Sequence, residues 1–273
     1  MYRAMPVTLT IAGSDCSAGA GIQADLKTFQ HYQVHGLTAV TCVVSETANQ
    51  VRAIHPVPVE ILLDQISLML ESFPVTVVKT GMLFSAAHVH AVANILQRYP
   101  QVQLVVDPVM VATSGATLLE TDAVVAYCDL LMPMARVITP NLPEAEVLLG
   151  EQIYDVAAME SAALRLAKKF RAGILIKGGH LDGPECVDIL AEGTQITHFV
   201  APRIPAAGSH GTGCTLSAAI AAALALGDSL PLAIESAKSY LGQTLRQSYV
   251  FASTGKAAIH ALNQGTTFRT NEA

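Results

Sequence analysis

Val7-Thr-Leu-Thr-Ile-Ala-Gly13, a loop of small residues, and a helical pattern beginning near Ile22 decide the fold. Six apolar or β-branched residues in a row read as a buried strand, and Gly13 ends it. The order strand, loop, helix then recurs. Leu37 to Val44 is strand-like, Val59 to Phe73 helix-like and Val75 to Lys79 strand-like, and a further helix is capped by Ser85 and ends before Pro100. Val102 to Val106 predicts another strand, Ala123 to Met132 a helix, and Arg136 to Thr139 a short strand. After a helix capped by Asp155, Gly173 to Lys177 supplies one more strand. Cys186 to Leu190 and Gln195 to Val200 form a hairpin around Ala191-Glu-Gly-Thr194, and two helices close the chain. Strands that are apolar throughout and alternate with helices define a doubly wound α/β domain with a mostly parallel sheet. Ligands of such domains bind outside the carboxyl ends of the strands, so chemistry is expected just after each one.

A single domain is expected over residues 1–264, with 265–273 a short, polar, disordered tail. Of the 273 residues 51% are hydrophobic and 14% charged, enough apolar surface for one large core, and no linker or repeat divides the chain. The net charge of −6 and the absence of a basic run argue against a nucleic-acid or anionic-membrane partner. The start, Met1 to Pro6, lacks a secretory h-region, and no apolar run reaches the roughly 18 residues of a membrane span. A cytoplasmic protein without membrane contact is expected. The five cysteines are widely spaced with no C-x-x-C pair, so neither a disulfide framework nor a zinc site is indicated.

His210-Gly-Thr-Gly-Cys-Thr215 opens the Ala-rich run Leu216 to Leu226 and reads as a helix N-terminus. Unpaired N–H groups and the helix dipole favour an anion there, and glycines admit a phosphate to the backbone. A turn of small residues packed closely would look the same. Three polar elements follow other strands. Asp107 can hold magnesium directly or through water, or serve as a turn residue. Asn141-Leu-Pro-Glu144 begins a helix in which Glu144 complements the dipole or binds metal. Lys177-Gly-Gly-His180 puts a cation at the same sheet edge, where alone it would be a solvated lysine. Together these elements point to an anion and metal site. Gly19-Ala-Gly-Ile-Gln-Ala24, with Glu46 about 20 residues on, also fits a dinucleotide fingerprint. Residues Ser14 to Ala18 separate it from its strand, which weakens that reading.

Seven ordered blocks between about Thr8 and Tyr240 carry a resemblance. They are Leu9 to Asp15, Gly19 to Thr28, Lys79-Thr-Gly-Met82, Asp107 to Ala112, Ile138 to Ala145, Lys177 to His180 and His210 to Ser217. In them the chain resembles the hydroxymethylpyrimidine and phosphomethylpyrimidine kinases of thiamine synthesis, within the ribokinase-like superfamily. The resemblance implies transfer of the γ-phosphoryl group of magnesium-bound ATP to the hydroxymethyl group of a small nitrogen heterocycle, and a homodimer. It implies an anion hole at Gly211, Gly213 and Cys214 and places magnesium and phosphate at Asn141 and Glu144, while the strand-end Asp107 stays the further metal candidate that its position suggests. Lys177 becomes a phosphate contact, and Gly13, Asp25, Glu46, Met82 and Val109 surround the acceptor.

Three departures bear on chemistry. Cys214 stands where sugar kinases of the superfamily carry a catalytic Asp. A helix N-terminus lowers a thiol's pKa, so Cys214 is either a general base or a member of the anion hole. Glu46, in Ser45-Glu-Thr-Ala48, replaces a glutamine common in the family. Thr113 replaces a flap lysine, and Ala112 a cysteine frequent in related pyridoxal kinases. The alternatives are a pyridoxal or pyridoxine kinase, and a catalytically idle ligand sensor with the same fold.

Overall fold

The computed structural model describes residues 5–110, 121–205, 208, 210–252 and 257–265. The flap positions 112 and 113 and the tail from 266 lie outside these ranges. Among the described residues nine strands form one sheet in the order β3-β2-β1-β4-β5-β6-β7-β8-β9. Strands β1 (Val7–Asp15), β2 (His35–Thr47), β4 (Val75–Thr80), β5 (Gln103–Val106), β6 (Val137–Ile138) and β7 (Gly173–Ile176) run parallel. Strands β3 (Gln50–Pro56), β8 (Glu185–Glu192) and β9 (Gln195–Pro202), toward the two ends of the sheet, are antiparallel to their neighbours.

Alternate residues of the central strands face opposite layers, as a pleated strand requires. Val77, Val105, Val137 and Leu175 pack with Phe29 of α1 (Gly21–His31), with α7 (Thr212–Ala225) and with α8 (Leu230–Arg246). Val78, Leu104, Val106, Ile138 and Ile174 pack on the other face. There they meet α2 (Val59–Ser72), α3 (Ala86–Leu96), α4 (Thr121–Ala126), α5 (Leu142–Leu149) and α6 (Val156–Phe170). Burial on both faces is why these strands are mostly apolar, each large apolar side chain contributing about 1.5–3 kcal/mol. The Ala-rich face of α7 lets that helix lie close against the sheet, with Ala218 to Ala223 fully buried. No described helix is long and apolar enough to cross a membrane.

Ser85 and Asp155 cap α3 and α6 as expected, accepting from the N–H groups of His88 and Ala158. Three local expectations change. The first strand continues past Gly13 to Asp15, through an irregularity between Ala12 and Ser14. The helix expected over Ala123 to Met132 is α4 followed by a π turn, Tyr127–Leu131, and a 3₁₀ turn that contains Pro133. The widened turn buries Tyr127, Leu131 and Met132 together, and the Tyr127 hydroxyl donates to the Gly81 carbonyl at 3.0 Å. Finally β3, and the hairpin of β10 (Tyr249–Phe251) with β11 (Ile259–Ala261), have no counterpart in the sequence reading.

Candidate active site

The carboxyl ends of β1, β4, β5, β6 and β7 open into one cavity of about 700 Å³. It lies at the reversal of strand order between β1 and β4, where a doubly wound sheet leaves a crevice. The N-terminus of α7 forms its centre. Gly211 caps that helix with φ +81°, and a Cβ there would fall 1.9 Å from the Gly19 carbonyl oxygen. Gly21 has φ +58°, and a Cβ on it would fall 2.4 Å from the Gly13 oxygen. Only glycine allows such approach of backbone to backbone at positive φ. The dinucleotide reading of Gly19 to Ala24 fails here, because the loop between β1 and α1 is organised by Asp15. Its carboxylate accepts from the N–H groups of Ser17 (2.6 Å), Gly19 (3.0 Å) and Ala20 (2.8 Å) and pairs with His210 Nε2 at 3.0 Å. Burial by itself would raise the Asp15 pKa, but the bonds from His210, Ser17 and Ala20 outweigh it and bring it to about 2.

Beside the α7 N-terminus, Lys177 Nζ donates to Asp107 Oδ1 at 3.2 Å, and the Ser217 hydroxyl donates to Asp107 Oδ2 at 3.1 Å. A Cβ built on Gly213 would sit 3.3 Å from Lys177 Nζ and 3.7 Å from Asp107 Oδ2, so helix N-terminus, cation and carboxylate share one corner. Asn141 and Lys177 are joined by a single parallel bridge, the last rung between two strand ends. Asn141 caps α5 in a capping box: its side chain accepts from Glu144 N–H, and Glu144 Oε2 accepts from Asn141 N–H, both at 2.9 Å. Glu144 Oε1 accepts from Met110 N–H at 3.2 Å, so this buried carboxylate already serves two backbone donors. Its pKa is raised by burial and by the charge of Asp107, against the pull of Lys177. Burial opposes the Lys177 charge, but Asp107 and Glu144 hold it above its ordinary value. Among the described residues no three His, Cys, Asp or Glu side chains converge as a metal cage. The pair Asp107 and Glu144 nevertheless fits magnesium, which is ordinarily held by one or two carboxylates with phosphate oxygens and water.

Cys214 lines the cavity, and its thiol departs from expectation. Burial raises its pKa, the charge of Lys79 lowers it, Asp107 and Asp25 raise it, and the outcome is about 11. Desolvation exceeds the helix-terminus effect, so the thiol is neutral. Gly13, Glu46, Met82 and Val109 also line the cavity, Val109 with φ +32°. Burial and the charge of Asp15 raise the Glu46 pKa, partly offset by His210. Asp25 does not reach the cavity wall. It is wholly buried, with both oxygens on Lys79 Nζ (2.8 and 3.0 Å) and one on the Thr10 hydroxyl at 2.6 Å. Lys79, equally buried, borders the cavity, and although burial opposes its charge, Asp25 holds it firmly protonated.

Asp15, His210 and Lys79 received no role from the sequence, although all three stand inside the quoted blocks. In the farther half of the cavity Asp188 accepts from Lys238 at 2.6 Å and from Gly178 N–H at 2.9 Å. Arg203 donates there to the carbonyls of Gly179 (2.9 Å) and Gly183 (2.8 Å). No sequence motif marked either group.

A three-layer α/β fold with a glycine-rich helix N-terminus, a lysine and two carboxylates at one sheet edge is an arrangement suited to a small-molecule kinase. A family model described as phosphomethylpyrimidine kinase matches residues 15–259. The chain belongs to this family, whose activity is ATP-dependent phosphorylation of hydroxymethylpyrimidine and phosphomethylpyrimidine in thiamine biosynthesis. A hydroxymethylpyrimidine/phosphomethylpyrimidine kinase of Rhizobium meliloti is 44% identical, covering 86% of this chain and 88% of that protein. A thiamine biosynthesis bifunctional protein of Geobacter sulfurreducens is 46% identical over 87% of this chain, which spans 49% of that longer protein. The crystal structure of the phosphomethylpyrimidine kinase of Clostridium difficile has a TM-score of 0.78 at 38% identity, covering 87% of this chain and 98% of that one. The Staphylococcus aureus pyridoxal kinase bound to AMP-PCP and pyridoxal has a TM-score of 0.86 at 32% identity, covering 96% and 94%.

Proposed function

We propose that the chain transfers the γ-phosphoryl group of ATP to the hydroxymethyl oxygen of 4-amino-5-hydroxymethyl-2-methylpyrimidine, and then to the resulting monophosphate. One observation carries the site: the N-terminus of α7 faces the Lys177–Asp107 pair across Gly213. Phosphoryl transfer passes through a loose transition state that needs in-line positioning and charge neutralisation more than covalent help. The N–H groups at Gly211, Gly213 and Cys214 would receive the transferring oxygens, and Lys177 would balance charge on the β and γ phosphates. Asp107 and Glu144 would hold magnesium, Glu144 while also accepting from two N–H donors. When bound there, magnesium would supply charge neutralisation to the phosphates.

The neutral Cys214 thiol favours its backbone role over that of a resting base. The acceptor ring would lie between Gly13, Met82 and Val109, with Glu46 at its polar edge. The proposal places the reaction in the cytoplasm and, from family resemblance, in a homodimer, which sedimentation would check. A coupled ADP-release assay with the pyrimidine, pyridoxal, pyridoxine and ribose tests the substrate. The pyrimidine should have the highest kcat/KM. Faster turnover of pyridoxal would replace the acceptor assignment, and turnover of none would favour a ligand sensor.

A further inference from the structure

The described part of the C-terminal segment is tied down, and its Gln264 reaches both the loop before α1 and the first turn of α7. Gln264 is only 2% exposed, and its Nε2 donates to the Gly19 carbonyl at 3.2 Å and to the Thr215 hydroxyl oxygen at 3.0 Å. Gly19 belongs to the loop before α1, and Thr215 to the first turn of α7, where its N–H donates to Gly211 at 2.9 Å. One amide therefore bridges the two loops whose backbones approach at Gly211. The carbonyl it holds is the same oxygen that leaves no room for a Cβ on Gly211. At the other end of that residue, Gly19 N–H is held by Asp15, so Gly19 is fixed from both sides.

The bridging amide is itself anchored from α8. The Tyr240 hydroxyl donates to the Gln264 carbonyl at 3.0 Å, and Asn263 N–H donates to the Thr244 carbonyl at 3.3 Å. The Asn263 side chain reaches Gln247 at 3.3 Å. Such anchoring removes most of the freedom that Gln264 would otherwise lose on bridging. Gln264 Oε1 is buried with no hydrogen-bond partner among the described residues. An unpaired buried acceptor works against folding, so packing alone does not account for an amide at this position.

We propose that Gln264 is a positioning residue for phosphoryl transfer, clamping the Gly19 carbonyl to the first turn of α7 and so setting the spacing of the Gly211–Gly213–Cys214 anion hole. The family match ends at residue 259 and assigns nothing to this amide. The role presupposes the transfer site proposed above. Loss of a whole donor from a comparable anion hole costs about 100- to 1,000-fold in kcat, so loosening its spacing should cost about tenfold.

The test uses full-length Gln264→Leu, which keeps the volume but removes both donated bonds and the unpaired oxygen, with Lys177→Ala in parallel. Gln264→Leu should lower kcat about tenfold or more and change KM for ATP and pyrimidine by less than about twofold. Wild-type kcat in Gln264→Leu overturns the clamp. So does a loss of rate that disappears once activity is expressed per folded molecule. If the leucine variant does not fold, near-isosteric Gln264→Glu, which sets a carboxylate oxygen against the Gly19 carbonyl, is judged by the same criteria. Failure of both to fold would make the residue structural and end the proposal. Wild-type nucleotide kinetics in Lys177→Ala would show that transfer occurs elsewhere, which overturns the site first and the clamp with it. A slow Lys177→Ala beside a wild-type Gln264→Leu overturns the clamp alone.

Discussion

Replacing Glu46 with glutamine should tighten binding of the aminopyrimidine near neutral pH and flatten its pH dependence. An aminopyrimidine edge offers an exocyclic N–H donor beside a ring nitrogen acceptor. A glutamine satisfies both, whereas an ionised glutamate only accepts and sets an oxygen against the nitrogen lone pair. Leaving that acceptor unpaired in a closed site costs on the order of 1–3 kcal/mol, or about 5- to 150-fold in Kd. A shared proton removes the conflict. Burial and the Asp15 charge already raise the Glu46 pKa, so the free protein moves toward accepting that proton. The sign follows: binding takes up a proton. Affinity is therefore greatest in mild acid, and above the free-state pKa values Kd rises by up to about tenfold per pH unit. In Glu46→Gln nothing at this position titrates, and the profile should keep only the ring's own protonation. Titration calorimetry across pH, in two buffers of different ionisation enthalpy, reads both the affinity and the protons taken up. Equal affinities, equal profiles and no proton uptake in both proteins would refute the reasoning, and Glu46 would have to point away from the ring.

Four further outcomes are expected. Cys214→Ala keeps the helix N–H and should lose less than the roughly 100-fold typical of a general base, with no rise of kcat toward pH 11, whereas a larger loss would restore the base. Glu144→Gln keeps an acceptor for the capping box but loses the charge, so turnover at saturating magnesium should fall by about tenfold or more while calorimetric binding of the pyrimidine holds. Lys177→Ala should chiefly raise KM for ATP and leave Asp107 without its cation, and unchanged nucleotide kinetics would make it a merely structural lysine. Lys79→Met strands Asp25 in a wholly buried position and should cost about 3–5 kcal/mol of stability in denaturant melts; a loss below about 1 kcal/mol would show that the pair is dispensable.

The strands that carry the site were legible because both of their faces are buried, which leaves runs such as Val102 to Val106 with no polar alternation to misread. Strand β3 was not. Gln50-Val-Arg-Ala-Ile-His-Pro56 is mostly exposed, and its pairing with β2, rather than its own apolar character, makes it a strand. The break after Ala126 depends on Tyr127 reaching Gly81, a contact across 46 residues that local periodicity does not encode. Asp107, Asn141 and Lys177 were legible as polar residues just beyond strands, and the fold brings them to one corner. The opposite displacement of the Cys214 pKa was not, because a helix terminus shows in sequence and the depth of burial does not. Asp25 looked like an acceptor contact for the same reason: nothing local announces that Lys79, 54 residues away, takes both of its oxygens. Likewise the links from His210 to Asp15 and from Gln264 to Gly19 join residues 195 and 245 positions apart.

Incubation of the protein with the hydroxymethylpyrimidine and ATP labelled with ¹⁸O throughout the γ-phosphoryl group, followed by mass spectrometry of the product, tests the central claim most directly. Transfer at this site should yield a phosphomonoester in which the three non-bridging oxygens are labelled and the ester oxygen, contributed by the acceptor hydroxyl, is not. Labelled inorganic phosphate with an unmodified pyrimidine would contradict it.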